Sequence, residues 1–314
     1  MGKYLLHRFL QMIPVLFLVS LVVFVLAHMA LGDPVVLMLG EDADQKTIAR
    51  LREQLGFSRP LYVQYIDWMS HIVKGDFGRS FRLPYPVSTL ILNRLPITLE
   101  LALLSLLLSV IIAIPTGVYA ALRHNSKSDL FTSGVAVIGV SMPNFWLGIL
   151  LIFIFALKLG WLPSSGYISP FESMIGNLKL MILPSITLSM AYVATLTRIV
   201  RSSMLEVLGQ EYVLTARSKG LTEKRVIFLH ALKNAILPVV TVIGVSMGRQ
   251  FGGAVVTETV FNLPGIARLL VDAILGRDFS VVQGVVLFTT FTILIMNLIV
   301  DLLYSYLDPR IKYA

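Results

Sequence analysis

Side chains able to carry covalent or proton-transfer chemistry are few and scattered in this sequence. Cysteine is absent, which removes thiol nucleophiles, disulfides and thiolate metal sites. The histidines fall in no His-Glu-x-x-His pattern, so a zinc-hydrolase pair is not encoded. His28 sits in an apolar stretch and is expected as a packed or interfacial histidine. An intramembrane aspartyl protease needs two facing carboxyls, yet Asp301 has no acidic companion in an apolar segment. Glu100 and Glu258 lie near the ends of apolar segments and are expected as interfacial carboxylates. No G-x-x-x-x-G-K-[ST] phosphate loop occurs, so nucleotide hydrolysis has no seat in this chain.

One polar segment is different in kind: Glu211-Tyr212-Val213-Leu214-Thr215-Ala216-Arg217-Ser218-Lys219-Gly220-Leu221. Gly209 interrupts the helix before it, and Gly220 supplies a helix stop. Between them the spacing predicts a helix of about two to three turns. Glu211 falls at its positive end, and Arg217 and Lys219 at its negative end, as the helix dipole favours. Thr222 is placed to cap a new helix beginning at Glu223. Charge alone would better suit a basic loop on anionic lipid. A second pattern, Gly244, Gly248 and Gly252, repeats every four residues, forming a small-residue stripe suited either to close helix packing or to bordering a solute path. Arg249 adjoins it and must face protein or water rather than lipid. Pairing of Arg249 with Glu258 would span about 13–14 Å along a helix.

The elements that must hold these residues are membrane spans. The chain has 314 residues, 56% of them hydrophobic and 14% charged, with a mean hydropathy of +0.81. A soluble domain carries about 25% charged residues. Residues 9–31, 101–122, 130–157, 180–197 and 279–300 are free of charge, and 235–257 is interrupted only by Arg249. Each approaches the roughly 20 residues needed to cross the hydrocarbon core, giving six spans in an all-α membrane protein. The first is longer than a secretory signal's apolar region of about 7–15 residues and is expected to be a retained anchor. Six spans place both termini on one side. Assigning the termini, 123–129 and 198–234 to the cytoplasm puts thirteen Lys/Arg and five Asp/Glu there. The short opposite loops, 158–179 and 259–278, hold four Lys/Arg, as the positive-inside rule requires. The formal charge of +8 therefore needs no nucleic acid. The long loop 32–96 is expected outside and partly helical, over 44–55 and Leu61–Val73. A turn follows at Gly75-Asp76-Phe77-Gly78-Arg79-Ser80.

The polar segment resembles the EAA loop of ABC importer permeases, in the form E-Y-V-x-T-A-R-x-K-G-L of the dipeptide, oligopeptide and nickel group. Leu214-Thr215-Ala216 stands where the general motif has Glu-Ala-Ala, and His230-Ala231-Leu232-Lys233 replaces its Ile-x-Leu-Pro ending. Other pieces resemble the group in order along the chain: Arg8-Phe9 with Pro14, Gly32-Asp33-Pro34, Leu55-Gly56 to Tyr65, Gly75 to Ser80, Ser141-Met142-Pro143-Asn144-Phe145-Trp146-Leu147-Gly148, Phe261-Asn262-Leu263-Pro264-Gly265 and Asp308-Pro309-Arg310.

The resemblance implies a type I importer permease fold, with 1–94 as first helix plus external loop, 95–307 as permease core and 308–314 as a cytoplasmic tail. It further implies that Glu211, Tyr212, Thr215, Ala216, Arg217, Lys219 and Gly220 dock on an ATPase subunit, and that Gly244, Gly248, Arg249 and Gly252 border the path or pack helices. The expected cofactor inventory is none in this chain, with ATP and Mg bound by two cytoplasmic ATPase subunits. The other expected partners are a second homologous permease, an extracytoplasmic solute-binding protein and membrane lipid. The setting is the bacterial inner membrane, and the solute is a peptide or a related small molecule such as a nickel chelate. An ion-coupled transporter is disfavoured because no carboxylate falls at a bilayer centre.

Overall fold

The computed structural model describes residues 2–30, 34–39, 43–54 and 56–307. Gly32, Asp33, Leu55 and the Asp308-Pro309-Arg310 motif lie outside the described residues. The described elements are α1 (Gly2–Ala30), α2 (Pro34–Leu39), α3 (Gln45–Gln54), α4 (Leu61–Val73), α5 (Val87–Leu122), α6 (Lys127–Ser141) and α7 (Asn144–Leu151). They continue as α8 (Met174–Leu208), α9 (Glu211–Ser218), α10 (Glu223–Arg225), α11 (Leu232–Val260), α12 (Ile266–Leu275) and α13 (Phe279–Leu307). Wider π-type turns extend α7 over Ile152–Lys158 and join α10 to α11 over Val226–Ala231. Among the described residues there is no strand, only an isolated bridge between Arg79 and Pro86.

Among the described residues, five helical stretches are long and apolar enough to cross a membrane, and α6 with the α7 segment makes a sixth if that bent pair is one span. The third span is not the continuous helix that the apolar window 130–157 suggests. It breaks at Ser141-Met142-Pro143, and its two halves meet at 102°. The cause is local. Met142 precedes a proline, so its backbone is driven out of the helical region to φ −79°, ψ 128°. Pro143 then opens α7.

The chain forms two compact units. One comprises Met1–Thr98 with Pro264–Ile295. Here Val87, Leu90 and Ile91 pack on Ile266, Leu269, Ala273, Val281 and Val285. The backbone N–H of Ile266 donates to the Thr98 hydroxyl (2.9 Å). The turn after α4 needs left-handed backbone at Gly75 and Gly78 (φ 83° and 79°), where glycine is unstrained. That turn leads into a loop held by Asp278, whose carboxylate accepts from the Ser80 hydroxyl and the Phe81 N–H. α4 lies on α1, with Phe24 against Tyr65 (5.4 Å) and Trp68 (5.7 Å). His28 is packed, as expected, bonding Phe24 O (2.8 Å) and Gln64 Oε1 (3.3 Å).

The second unit comprises Leu99–Leu263 with Met296–Ala314. α8 is its spine, packed on α6, α7 and α11. Its core joins Ala113, Val118 and Ala121 to Leu196, Val200 and Met204, and to Ala231, Ala235 and Val239. α5 approaches α8 at Gly117, where an added Cβ would lie 2.6 Å from Val200 and 2.9 Å from Thr197 O. Glu100 accepts a hydrogen bond from the Tyr167 hydroxyl (2.9 Å). Burial first, and then that carboxylate, push the Tyr167 hydroxyl up to about 12, so it remains a donor at physiological pH.

Candidate coupling element

α9 is a short helix set between two spanning helices by identifiable contacts. Gly209 caps α8, and Gln210, in extended conformation (φ −76°, ψ 147°), starts the new helix. At the far end Gly220 adopts φ +77°. The N–H of Gly220 donates to Arg217 O (2.9 Å) and that of Leu221 to Ala216 O (3.4 Å). These are the two bonds of a Schellman motif, and the hydrophobic contact that accompanies it is also present. Leu221 packs against a cluster of Val213, Ala216 and Val226.

The next turn is locked to α9 by charge. Arg217 Nε and one terminal nitrogen donate to the two carboxylate oxygens of Glu223 (2.9 and 3.4 Å). Thr222 stands at the capping position of α10, but its side chain makes no capping bond. Its carbonyl accepts from Val226 N–H (3.1 Å), the first bond of the helix, and the expected hydroxyl cap is not formed. Asn234, the third residue of α11, donates to the Tyr212 hydroxyl (2.8 Å). These contacts fix α9 to both the helix before it and the helix after it.

The helix thereby acquires two faces. Val213 and Ala216, three residues apart, point inward at 0% and 7% exposure. Ala216, grouped with the docking residues on the resemblance, is thus an anchor of the element. Glu211, Tyr212, Leu214, Thr215, Lys219 and Gly220 are exposed, and Arg217 is partly so. Leu214 and Tyr212 present apolar surface at 52% and 42% exposure. Nothing lies within 4 Å of the position a Cβ would take at Gly220.

A further support escaped the sequence reading, which used its charges only for topology. Arg201, near the end of α8, grips Asp129 with two nitrogens (2.6 and 2.7 Å), and His124 stands 3.4 Å from the same carboxylate. Asp129 also accepts from the Asn125 N–H (3.0 Å), while its own N–H is capped by the Ser126 hydroxyl (3.3 Å). The α8 segment that leads to α9 is therefore tied to the start of α6. No pattern within either segment signals a pair 72 residues apart.

Of the glycine stripe, Gly244 packs against α13, where an added Cβ would fall 2.4 Å from Val300. Gly248 and Gly252 follow it in the α11 backbone, but their surroundings and the Arg249 side chain lie outside the described residues. Glu258, expected at an interface, is fully buried, and its carbonyl accepts from Leu263 N–H (2.8 Å). Among the described residues no group of three or more His, Asp or Glu is placed to hold a metal ion.

The described residues thus form a helical membrane protein in which a short two-faced helix lies between two long apolar ones. Residues 113–313 match the family described as binding-protein-dependent transport system inner membrane component, and residues 1–102 match the N-terminal family of the same components. A Brucella abortus protein named for a peptide transport system permease is 43% identical over the whole of both chains. The oligopeptide transport system permease protein AppB of Bacillus subtilis is 41% identical, and the glutathione transport system permease protein GsiC of Escherichia coli 42%, again over both full lengths.

Among solved structures, the fold is similar to that of the MetNI methionine ABC transporter in an inward-facing form. The TM-score is 0.60 at 17% identity, over 72% of this chain and all of that one. A chain of an amino acid ABC transporter is similar at a TM-score of 0.51, with 70% and 94% coverage. The chain belongs to the binding-protein-dependent transport system inner membrane components, the permease subunits of ABC importers. It is a multi-pass protein of the inner membrane.

Proposed function

We propose that this permease couples to two cytoplasmic ATPase subunits through α9 and forms, with a second homologous permease, the path for a peptide or a closely related solute. The observation that carries the reading is the two-sided character of α9. Its inner face is fixed by Val213, Ala216, the Gly220 stop and the Arg217–Glu223 pair, while Tyr212, Leu214, Thr215 and Lys219 face outward. A helix clamped to both neighbouring spans transmits a displacement, where a flexible loop would absorb it. ATP and Mg would be held by the ATPase subunits, and the chain itself works without a cofactor by switching between two conformations that nucleotide binding biases.

In this reading both termini and α9 are cytoplasmic, and a solute-binding protein delivers cargo to the opposite side. α11 with Gly244, Gly248, Arg249 and Gly252 borders the path or packs beside it, and lipid surrounds the remainder. The names of the relatives support peptides and glutathione-sized solutes as the substrate class; a nickel chelate is the alternative within the same group.

The test is uptake and ATP hydrolysis by the assembled importer in proteoliposomes. Leu214→Asp, on the outward face, should leave insertion and helix content unchanged while abolishing solute-stimulated hydrolysis. Uptake at the wild-type rate in that variant would overturn the assignment of α9.

A further inference from the structure

In the unit formed by Met1–Thr98 and Pro264–Ile295, a cavity of about 220 Å³ opens where α4 and the loop before it meet the ends of α1 and α13. Phe57, Trp68 and Phe279 contribute aromatic walls, and Arg59, Asp67 and Gln283 contribute polar groups. Two features bear on what it could hold. Gln283 is only 6% exposed, and its amide opens to the cavity, where no described residue bonds it. Arg59 and Asp67 line the same cavity with opposite charges; both are exposed, and neither pairs with a described residue.

We propose that this pocket binds a short zwitterionic peptide, seating one apolar side chain among the aromatic rings. The inference rests on the importer reading above and names a second contact point for its substrate. Each free group then has a use. A primary amide carries both donors and an acceptor, which matches the N–H and C=O of a peptide bond better than it matches a lipid tail or a metal ion. Arg59 offers a fork for the α-carboxylate and Asp67 an acceptor for the α-ammonium. The cavity is smaller than the roughly 300–1,000 Å³ of typical small-molecule sites, so it holds one residue while the rest of the peptide lies across its mouth. In the proposed topology α4 and the end of α1 face outward, so the pocket would meet solute before translocation.

The absence of native cysteine allows a site-directed test. Ser280 lines the pocket, and Ser280→Cys in the assembled importer, held in nanodiscs without its binding protein, is labelled by a maleimide. Trileucine should slow labelling at least about tenfold at saturation, whereas N-acetyl-trileucine amide, lacking both charges, should protect far less. A control His71→Cys should label at one rate throughout. Adding Gln283→Leu should weaken protection about tenfold, the loss of a hydrogen-bonded amide, while leaving the Tm unchanged because the amide bonds no described residue. That pairing separates ligand recognition from a structural role.

Equal labelling with and without trileucine would overturn the proposal, as would protection that survives both Gln283→Leu and Asp67→Asn. ATP-driven uptake by the complete importer is measured alongside. Uptake with no protection sinks the pocket alone, and absence of ATP-driven uptake sinks the importer reading beneath it.

Discussion

At the scale of single residues, the α9 region separates folding from function in a testable way. The Arg217–Glu223 bridge is partly solvent-exposed, at 36% and 60% of the two side chains, and exposed pairs stabilise by only about 0–1 kcal/mol. Arg217→Ala is therefore expected to leave the Tm almost unmoved. If the pair transmits motion, the same variant lowers the ratio of solute imported to ATP hydrolysed, and the swapped pair Arg217→Glu with Glu223→Arg recovers it. An unchanged ratio in the single variant would count against that role. Gly220 works differently. There is room for a side chain, but the left-handed backbone penalises any Cβ by about 1–2 kcal/mol. Gly220→Val should consequently loosen the end of α9, read as faster amide exchange at Gly220 and Leu221 with the spanning helices still protected.

At the scale of elements, α8 organises its unit through two contacts of opposite character. One is ionic. Asp129 is nearly buried, with 5% of its side chain exposed, and Arg201 shows 26%. Removing one member of a buried pair costs about 3–5 kcal/mol, and the partial exposure of Arg201 reduces that for Arg201→Ala. A lower Tm is expected, together with weaker solute stimulation of hydrolysis, because α8 is released from α6 just above α9. Replacing both residues by apolar ones of similar size should recover the Tm; failure to do so would show that the charges do more than fill space. The second contact is steric. Gly117 admits no Cβ without displacing Val200 and the Thr197 carbonyl, and overpacking costs about 1–3 kcal/mol or more. Gly117→Leu is expected to reduce folded protein recovered from membranes, an effect that Val200→Ala should partly reverse.

At the scale of the whole molecule, the central expectation is topological. A chain without cysteine accepts single reporters cleanly. Cysteine at Ser70 in α4 should react with a membrane-impermeant maleimide on intact spheroplasts, and cysteine at Leu214 in α9 only after permeabilisation. Reaction at Leu214 in intact cells would reverse the proposed orientation and with it the docking of ATPase subunits. The break between α6 and α7 also belongs to this scale, since it decides whether residues 127–158 cross the bilayer once with a bend or turn back within it. Reporters at Asn125 and Gly160 separate the two outcomes: opposite accessibility means a crossing, and equal accessibility means a re-entrant segment.

Much of the fold was legible because it is written locally. Apolar runs long enough to cross a membrane declare themselves, and α4 was legible over Leu61–Val73 ahead of the turn at Gly75. The limits of α9 followed likewise from Gly209 and Gly220. The bend at Met142 was equally local: Pro143 in an apolar run breaks the helix's hydrogen bonding and redirects the backbone before it.

What sequence could not supply were relations between distant segments. Asp129 and Arg201 looked like two loop charges, Gly117 like any glycine in a span, and Ala216 like part of a docking surface. Gln283 drew no notice at all. Each acquired its meaning only when folding set its neighbours, because burial, pairing and steric contact are properties of juxtaposed elements and not of residues in a row.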